Sequence, residues 1–260
     1  MMANVQGHSI CVFEKIVACI LGAFSEITPE RTIAGCGNLA VMVWGTPDIR
    51  RKDNRYCVGY FWQEVGYGAA ATKDGITPRV PLLAGWAHTI PVEVLEKETP
   101  IVVEKVEIRP DSGGPGRYRG FNGMERVFRF MSDGTITILG DRAKFPPKGL
   151  FGGQASSTQS AILNAGAPQE RDLGMLQEGM HYKTGDTISL ISAGGGGRGL
   201  PWERDPEAVL RDVIYAYVTP AKAREDYGVV LSETRETDLT NSYAIDFEAT
   251  ALLRADMSGA

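Results

Sequence analysis

The sequence predicts an α+β protein with a strand-rich core, an amphipathic helix near its start and two helices near its end. Three observations predict it. Runs of β-branched and aromatic residues fill the middle of the chain, apolar residues recur at helical spacing between residues 10 and 25, and two proline-containing helix starts follow residue 205. Glycine clusters punctuate these elements: 31 Gly and 14 Pro stand among 260 residues, and glycine is well above its usual share of about 7%.

In the first helix, Val12, Ile16, Cys19, Ile20 and Ala23 fall on one face, which predicts that this face is buried. Thr28-Pro29 ends it. The helix begins with no element before it to pack against, which suits a fragment or a subunit that completes its core with a partner. "NLAVMVW" (38–44) and "YCVGYFW" (56–62) read as strands joined by the polar "GTPDIRRKDNR", and "GYGAAATKDGITP" is a second loop. Residues Ile101 to Ile108 form a third strand. "MERVFRF" and "TITILG" flank Ser132-Asp133-Gly134 as the arms of a hairpin would. Residues 146 to 166, rich in Gly, Pro and Ser, predict a long surface excursion, and "GDTISLIS" is a strand running into four glycines. Asp205-Pro206 caps a helix whose buried stripe is Val209, Leu210, Val213 and Ile214. Thr219-Pro220 repeats the device, and Gly228 sits where that helix stops. Residues 232–260 are polar and acidic with little periodicity and predict a loosely ordered tail. No internal repeat is evident.

Hydrophobic residues at 43% and charged residues at 23% suit a core-forming protein. With 27 Lys+Arg against 32 Asp+Glu the net charge is -5, which offers a phosphate backbone no general attraction and argues against a nucleic-acid partner. Cys11, Cys19, Cys36 and Cys57 form no CxxC pair and read as small buried thiols in a reduced compartment. The apolar run from Ile10 to Phe24 is broken by Glu14-Lys15 and is too short to span a bilayer. No positive charge precedes it, so it fails as a signal peptide. The expectation is a cytoplasmic protein without a membrane partner.

Two motifs invite false identification. Asp111-Ser112-Gly113-Gly114-Pro115 spells the nucleophile loop of trypsin-like proteases, but Pro110 replaces the preceding glycine and His8, His88 and His181 lie in no recognisable histidine loop. A tight turn between strands fits better, with Asp111 accepting backbone N–H groups near Arg117 and Arg119. Gly194, Gly196 and Gly199 satisfy GxGxxG after a strand, yet Leu200-Pro201 intervenes before any helix that could hold a pyrophosphate. The reading adopted is that Gly194, Gly195, Gly196 and Gly197, like Gly113 and Gly114, let backbone segments pass closely. The histidines are widely separated, with no paired metal-ligand spacing. Gly140-Asp141-Arg142, at the end of a strand, presents an acid and a guanidinium that could grip a planar polar substrate or form an internal ion pair.

Taken in order, these clusters resemble the hydantoinase B / 5-oxoprolinase / acetone carboxylase subunit family. "IPVEVLEKETPIVVEKVEIRPDSGGPGRYRGFNG" is similar to its strand, Asp-Ser-Gly-Gly turn and Arg-Gly pair. "GDRAKFPPKGLFGG" resembles the next landmark, and "GDTISLISAGGGGRGLPWERDPEAVLRDV" with "VTPAKAREDYGVVL" resembles the closing signature. The likeness runs from about residue 10 to 231. The chain departs from the pattern at Arg198-Gly199-Leu200-Pro201, where the family has an aromatic residue, Gly and Asp-Pro. It departs again at Phe121-Asn122, where a fuller glycine pair is usual.

The resemblance implies that residues 1–231 correspond to the C-terminal half of a B-type subunit, the metal-binding aspartate and histidines belonging to the other half. It implies a nucleotide-binding hydantoinase A-type partner of the ASKHA class that phosphorylates an amide or carbonyl oxygen with ATP. The B-type subunit then completes hydrolysis of a cyclic amide, hydantoin or 5-oxoproline in class, or carboxylation of a ketone in an acetone- or acetophenone-type carboxylase. A third possibility is a structural subunit without chemistry. The expectation is a chain inactive alone that binds no cofactor by itself, with ATP and a divalent metal entering in the full complex beside a chain supplying the N-terminal half. No catalytic or metal residue is assigned. The candidate substrate contacts are Asp111, Ser112, Arg117, Arg119, Asp141 and Arg142.

Overall fold

The computed structural model describes residues 9–76, 89–234 and 242–259. The α+β class holds. Strands β1 (Ala40–Pro47), β2 (Tyr56–Gln63), β5 (Gly134–Gly140) and β8 (Leu176–Tyr182) form one sheet in the order β2-β1-β5-β8. Strands β3 (Ile101–Ile108), β4 (Met124–Phe130), β9 (Thr187–Ile191), β6 (Ser160–Leu163) and β7 (Arg171–Asp172) form a second, in the order β3-β4-β9-β6-β7. All these pairs are antiparallel. Period-2 alternation gives each sheet one apolar face. Met42, Trp44, Phe61, Ile136 and Ile138 of the first share a single core with Ile101, Phe128, Phe130, Ile188 and Leu190 of the second. Rings bridge the layers: Phe61 meets Phe128 edge-on with centroids 5.1 Å apart, and Phe130 stacks on Tyr182 at 3.7 Å. A short helix, α2 (Val92–Glu98), buries Leu95 in the same core.

Between the sheets and the C-terminal helices lies a bundle of irregular glycine-rich segments held backbone to backbone. Gly195 N–H donates to the Phe121 carbonyl, Phe121 N–H to Tyr67 and Gly114 N–H to Gly195. Ala69 N–H donates to Gly196, and Gly196 N–H to Gly35. Side chains cannot enter here. A Cβ on Gly195 would stand 2.0 Å from the Tyr67 carbonyl carbon, and one on Gly120 would stand 1.9 Å from the Gly195 carbonyl oxygen.

A small helical unit closes the chain. α3 (Pro206–Ile214) begins at Asp205, whose side chain accepts the Glu207 N–H. α4 (Pro220–Tyr227) begins at Thr219, whose hydroxyl accepts the Lys222 N–H, and ends at the left-handed Gly228. The two helices and the β10 (Leu231–Thr234)–β11 (Ser242–Ile245) ribbon enclose a second core built on Val209, Val213, Val218 and Tyr227. A buried ion network fastens this unit to the glycine bundle. Arg204 forks onto both Asp74 oxygens at 2.7 Å and reaches Asp212 at 2.8 Å, while Arg119 reaches Asp212 at 3.1 Å. The Arg119 guanidinium lies between the Phe121 and Tyr217 rings, 5.2 Å from each centroid.

Several sequence expectations are corrected. The apolar face of α1 (Ser9–Ser25) that was expected to be buried is exposed at Val12, Ile16, Cys19, Ile20 and Ala23. The helix instead turns Glu14, Val17, Ala18, Leu21 and Ser25 inward. Cys19 is therefore not a buried thiol; Cys57 is, and Cys36 is partly so. β4 and β5 are not a hairpin. The turn at Ser132-Asp133 passes the chain from one sheet to the other, tied by the Ser132 hydroxyl, 2.8 Å from the Thr46 hydroxyl and donating to the Pro47 carbonyl at 2.7 Å. The stretch 146–166 is no surface excursion, because it contains β6, whose Ala161 is fully buried between β9 and β7. Ile214, expected in the α3 stripe, is 57% exposed. Residues 232–260, expected to be loosely ordered, contain β11 and α5 (Phe247–Gly259). Arg254 of α5 donates to the carbonyls of Tyr227 and Arg204.

Adding one methyl at Gly195 must displace backbone, so Gly195→Ala is expected to cost about 3 kcal/mol or more. Gly22→Ala, on open helix surface, is expected to gain about 0.5–1 kcal/mol. Thermal or urea unfolding followed by circular dichroism measures both. Asp212→Asn strips a counter-charge from two buried guanidinium groups and is expected to cost about 3–5 kcal/mol in the same assay.

Candidate functional site

A hollow of about 400 Å³ lies between α1 and the glycine bundle. One wall is the inward stripe of α1, with Glu14, Val17, Ala18 and Leu21. The floor is residues 33–38, and the far wall is Arg142 with residues 145–150. The floor is rigid because Gly35 exchanges backbone hydrogen bonds with its neighbours, donating to Lys148 and accepting from Gly196.

Glu14 is the unusual group. It is only 5% exposed, and its Oε2 accepts the Leu39 N–H at 2.8 Å while Oε1 has no hydrogen-bond partner. Burial pushes its carboxyl up to about 7; the Leu39 N–H opposes this, Asp141 adds to it and Arg142 offsets part of it. Asp141 holds Asn38 and Lys15 through Oδ2, each at 3.0 Å, and leaves Oδ1 without a partner. Gln159 braces this corner by donating to the carbonyls of Asn38 at 2.8 Å and Asp141 at 3.0 Å. Arg142 sits at φ 60°, a left-handed conformation, and its Nε is also without a partner. Cys36, in the floor, is pushed up to about 11 by burial and remains a thiol.

The structure divides the six expected contact residues between two places. Arg142 lines this hollow, and Asp141 lies beside it, paired with Lys15 of the α1 wall. Asp111, Ser112, Arg117 and Arg119 lie in the turn of the glycine bundle. Ser112 is 2% exposed, its hydroxyl donating to the Arg109 carbonyl at 2.7 Å and accepting the Gly123 N–H at 2.9 Å. Asp111 accepts the Thr219 N–H at 2.8 Å, joining the turn to the start of α4. Arg119 is consumed by the ion network. Arg117 is exposed, its guanidinium 5.8 Å from the Tyr118 ring centroid. Each of Gly194, Gly195, Gly196 and Gly197 is pressed against another backbone segment, which leaves no cradle for a phosphate at the glycine run.

Glu14 escaped the sequence reading because it looked like a polar interruption of an apolar helix. A lone acid amid apolar residues was the available signal. Among the described residues no three His, Cys, Asp or Glu side chains gather as a metal would require, so no metal step is derived on them. His8 and His88 lie outside the described residues, and His181 is exposed on β8. No helix among the described residues is long and apolar enough to cross a membrane.

The folded protein retains a proton on Glu14 that the unfolded chain releases above its ordinary value of 4.5. The stabilising contribution of the neutral carboxyl is complete below pH 4.5, declines as pH rises to about 7, and is lost above that. Glu14→Gln removes this slope. Relative to the parent, the variant is expected to gain about 2–3 kcal/mol in unfolding free energy between pH 5 and pH 8, measured by denaturant titration at both values.

Comparison with known proteins places this architecture. The sequence model of the hydantoinase B/oxoprolinase family matches residues 1–201. A Pseudomonas sp. (strain NS671) protein named as the B-type component of a D-/L-hydantoinase is 31% identical over 236 residues, covering 90% of this chain and 38% of its own length. The structure of the ATP-dependent caprolactamase from Pseudomonas jessenii superposes with a TM-score of 0.74 at 23% identity, covering 90% of this chain and 40% of that one. A nucleotide-free acetone carboxylase structure superposes with a TM-score of 0.73 at 22% identity, covering 91% and 35%. These superpositions show a shared fold, and the chain spans less than half the length of each of these relatives. With the family match running through both sheets and the glycine bundle, the chain belongs to the hydantoinase B/oxoprolinase family.

Proposed function

We propose that this chain is the C-terminal portion of a B-type subunit that acts in ATP-dependent hydrolysis of a cyclic amide, hydantoin or 5-oxoproline in class. A hydantoinase A-type partner holds ATP and phosphorylates the ring's amide oxygen, and a chain supplying the N-terminal half completes the B-type subunit. Phosphorylation makes the amide carbon electrophilic: water adds to it, the C–N bond breaks with the ring nitrogen leaving as the amine, and a second water releases phosphate from the resulting acyl phosphate. ATP and a divalent metal enter with those chains. The observation that carries the reading is the family match over residues 1–201. Relatives named for hydantoin, caprolactam and oxoproline chemistry, cyclic amides all, support it. In this portion, Asp141 and Arg142 at the α1 hollow are the proposed substrate contacts, and Asp111, Ser112 and Arg119 hold the frame behind them.

The test mixes the purified chain with a hydantoinase A-type subunit and a chain bearing the N-terminal half. Ring opening of hydantoin and of 5-oxoproline is then assayed with and without ATP. Turnover is expected only with all three chains and ATP, and Arg142→Gln is expected to lower kcat/KM by about tenfold or more. Carboxylation of acetone without ring opening would transfer the chain to the carboxylase branch. No stimulation of either reaction would leave it a structural subunit.

A further inference from the structure

We propose that the outer face of α1 is the docking surface for the rest of the B-type subunit, the chain that supplies its N-terminal half, which meets it with an apolar surface. The inference deepens the function proposed above and rests on it for the identity of the partner. The surface itself stands on geometry.

α1 is rich in apolar residues, yet it buries none of them fully. Among its described side chains only Glu14 and Ser25 are buried, and both are polar. Glu14 and Lys15 tie the helix down through the Leu39 N–H and Asp141, and the hollow stands between Ala18 and Leu21 and the opposite wall. On the outer side Val12, Phe13, Ile16, Ile20 and Phe24 are 44–58% exposed, and Ile27, just beyond the helix, is 72% exposed. At 3.6 residues per turn the five helical positions fall within about 120° of arc, and no charged residue shares that arc. Phe145, which lines the same hollow as Cys19 and Gly22, is 78% exposed and extends the patch. A helix at a protein surface keeps one side polar, whereas a helix apolar on both sides belongs inside a larger core. A continuous exposed apolar patch of this kind marks an interaction surface.

The same observations choose the occupant. An arc without charge calls for an apolar complement, the character of a permanent interface rather than a transient one. A lipid surface is met by helices with Lys and Arg along their polar side. α1 has one basic residue, Lys15, and Asp141 holds it. Length separates the rest of the subunit from a second copy of this chain. The match covers 38% of the hydantoinase B-type relative and 40% of the caprolactamase chain that shares the fold. In both, the larger part of the polypeptide lies outside the matched region and is joined covalently to it. Such a part reaches α1 at high effective concentration, which a second copy lacks.

The test co-expresses the 260-residue chain with a tagged partner, the part of the hydantoinase B-type relative that lies ahead of the matched region. The parent chain is expected to co-purify with it in equal amounts. Ile16→Glu combined with Ile20→Glu is expected to lower that recovery about tenfold or more, because two carboxylates would enter an apolar interface. The double variant should melt like the parent, since both side chains face solvent in the chain alone. A benzophenone photocross-linker in place of Ile20 should capture the tagged partner. No recovery of the parent chain, or equal recovery of the double variant, would overturn the proposal. So would a concentration-dependent dimer of the chain abolished by the double substitution, which gives the face to a second copy. Sedimentation with phosphatidylcholine–phosphatidylglycerol vesicles, lost in the double variant, would give it to a lipid surface instead. Assembly through α1 without ring opening by the full set of chains sinks the proposed reaction and spares this inference. Ring opening by the double variant at the parent's rate does the reverse.

Discussion

The contact on which this structure depends is backbone against backbone in the glycine bundle. Where the Gly195 Cα faces the Tyr67 carbonyl there is room for a hydrogen and for nothing larger. Strands keep their backbones apart at hydrogen-bonding distance in one plane and send side chains out of it. Here successive segments from residues 34–37, 66–69, 113–123, 147–154 and 194–199 hydrogen-bond in more than one direction at once. That satisfies buried N–H and C=O groups without regular secondary structure. The stabilisation comes from saturated backbone pairing and dense packing rather than from side-chain burial, which makes it intolerant of any added carbon. The ordering cost that glycine brings is offset by the number of partners each segment gains.

From that bundle the remaining parts take their positions. The Asp111 turn lies in it and, through Asn122 and the Thr219 N–H, sets the start of α4. The Arg119–Asp212–Arg204–Asp74 network then locks the helical unit. Burial alone would disfavour the charged Arg204, yet the two carboxylates reverse this and raise its pKa. On the opposite side the bundle supplies the rigid floor on which the α1 hollow stands. α1 itself is fixed there by polar tethers, Glu14 to the Leu39 N–H and Lys15 to Asp141. Its most apolar residues face away.

Much of the fold was legible because its signals are local. β-branched runs located β1 to β5 and β9, and Asp205-Pro206, Thr219-Pro220 and Gly228 marked α3 and α4 nearly to the residue. What failed depended on distant partners. Periodicity identified α1 but could not say which side meets the protein, and polar tethers chose the side carrying Glu14. Turn chemistry at Ser132-Asp133-Gly134 correctly marked a reversal, but not that β4 and β5 would join different sheets. Glycine and serine between 146 and 166 read as solvent loop because composition cannot separate a loop from a side-chain-free packing layer. β8 was hidden by Gly179, which takes φ 59° beside the bulge where β8 meets β5. Of the site, Gly140-Asp141-Arg142 stood out in the sequence as a charged pair ending a strand. Glu14 did not, since its meaning lies in a burial that only the fold creates.

Buried polar groups hold this molecule together in two ways. Arg204 and Asp212 are deep, and their charged atoms are shared among several partners, so nothing is left over for a ligand. Unpaired buried atoms also occur inside packed regions, Glu64 Oε2 and Arg126 Nε within a single ion pair. Arg119 Nε belongs to a guanidinium held between two rings, and Arg126 Nε to one lying 4.6 Å from the Phe61 centroid. Beside the α1 hollow four neighbouring residues, Glu14, Asp141, Arg142 and Gln159, each keep one buried atom unpaired. Leucine or methionine in place of Glu14 would bury no carboxyl but would remove the acceptor that meets the Leu39 N–H. Glu14 is a tether of this kind: Oε2 meets the Leu39 N–H, and burial, which leaves Oε1 neither solvent nor partner, keeps the carboxyl neutral up to about pH 7.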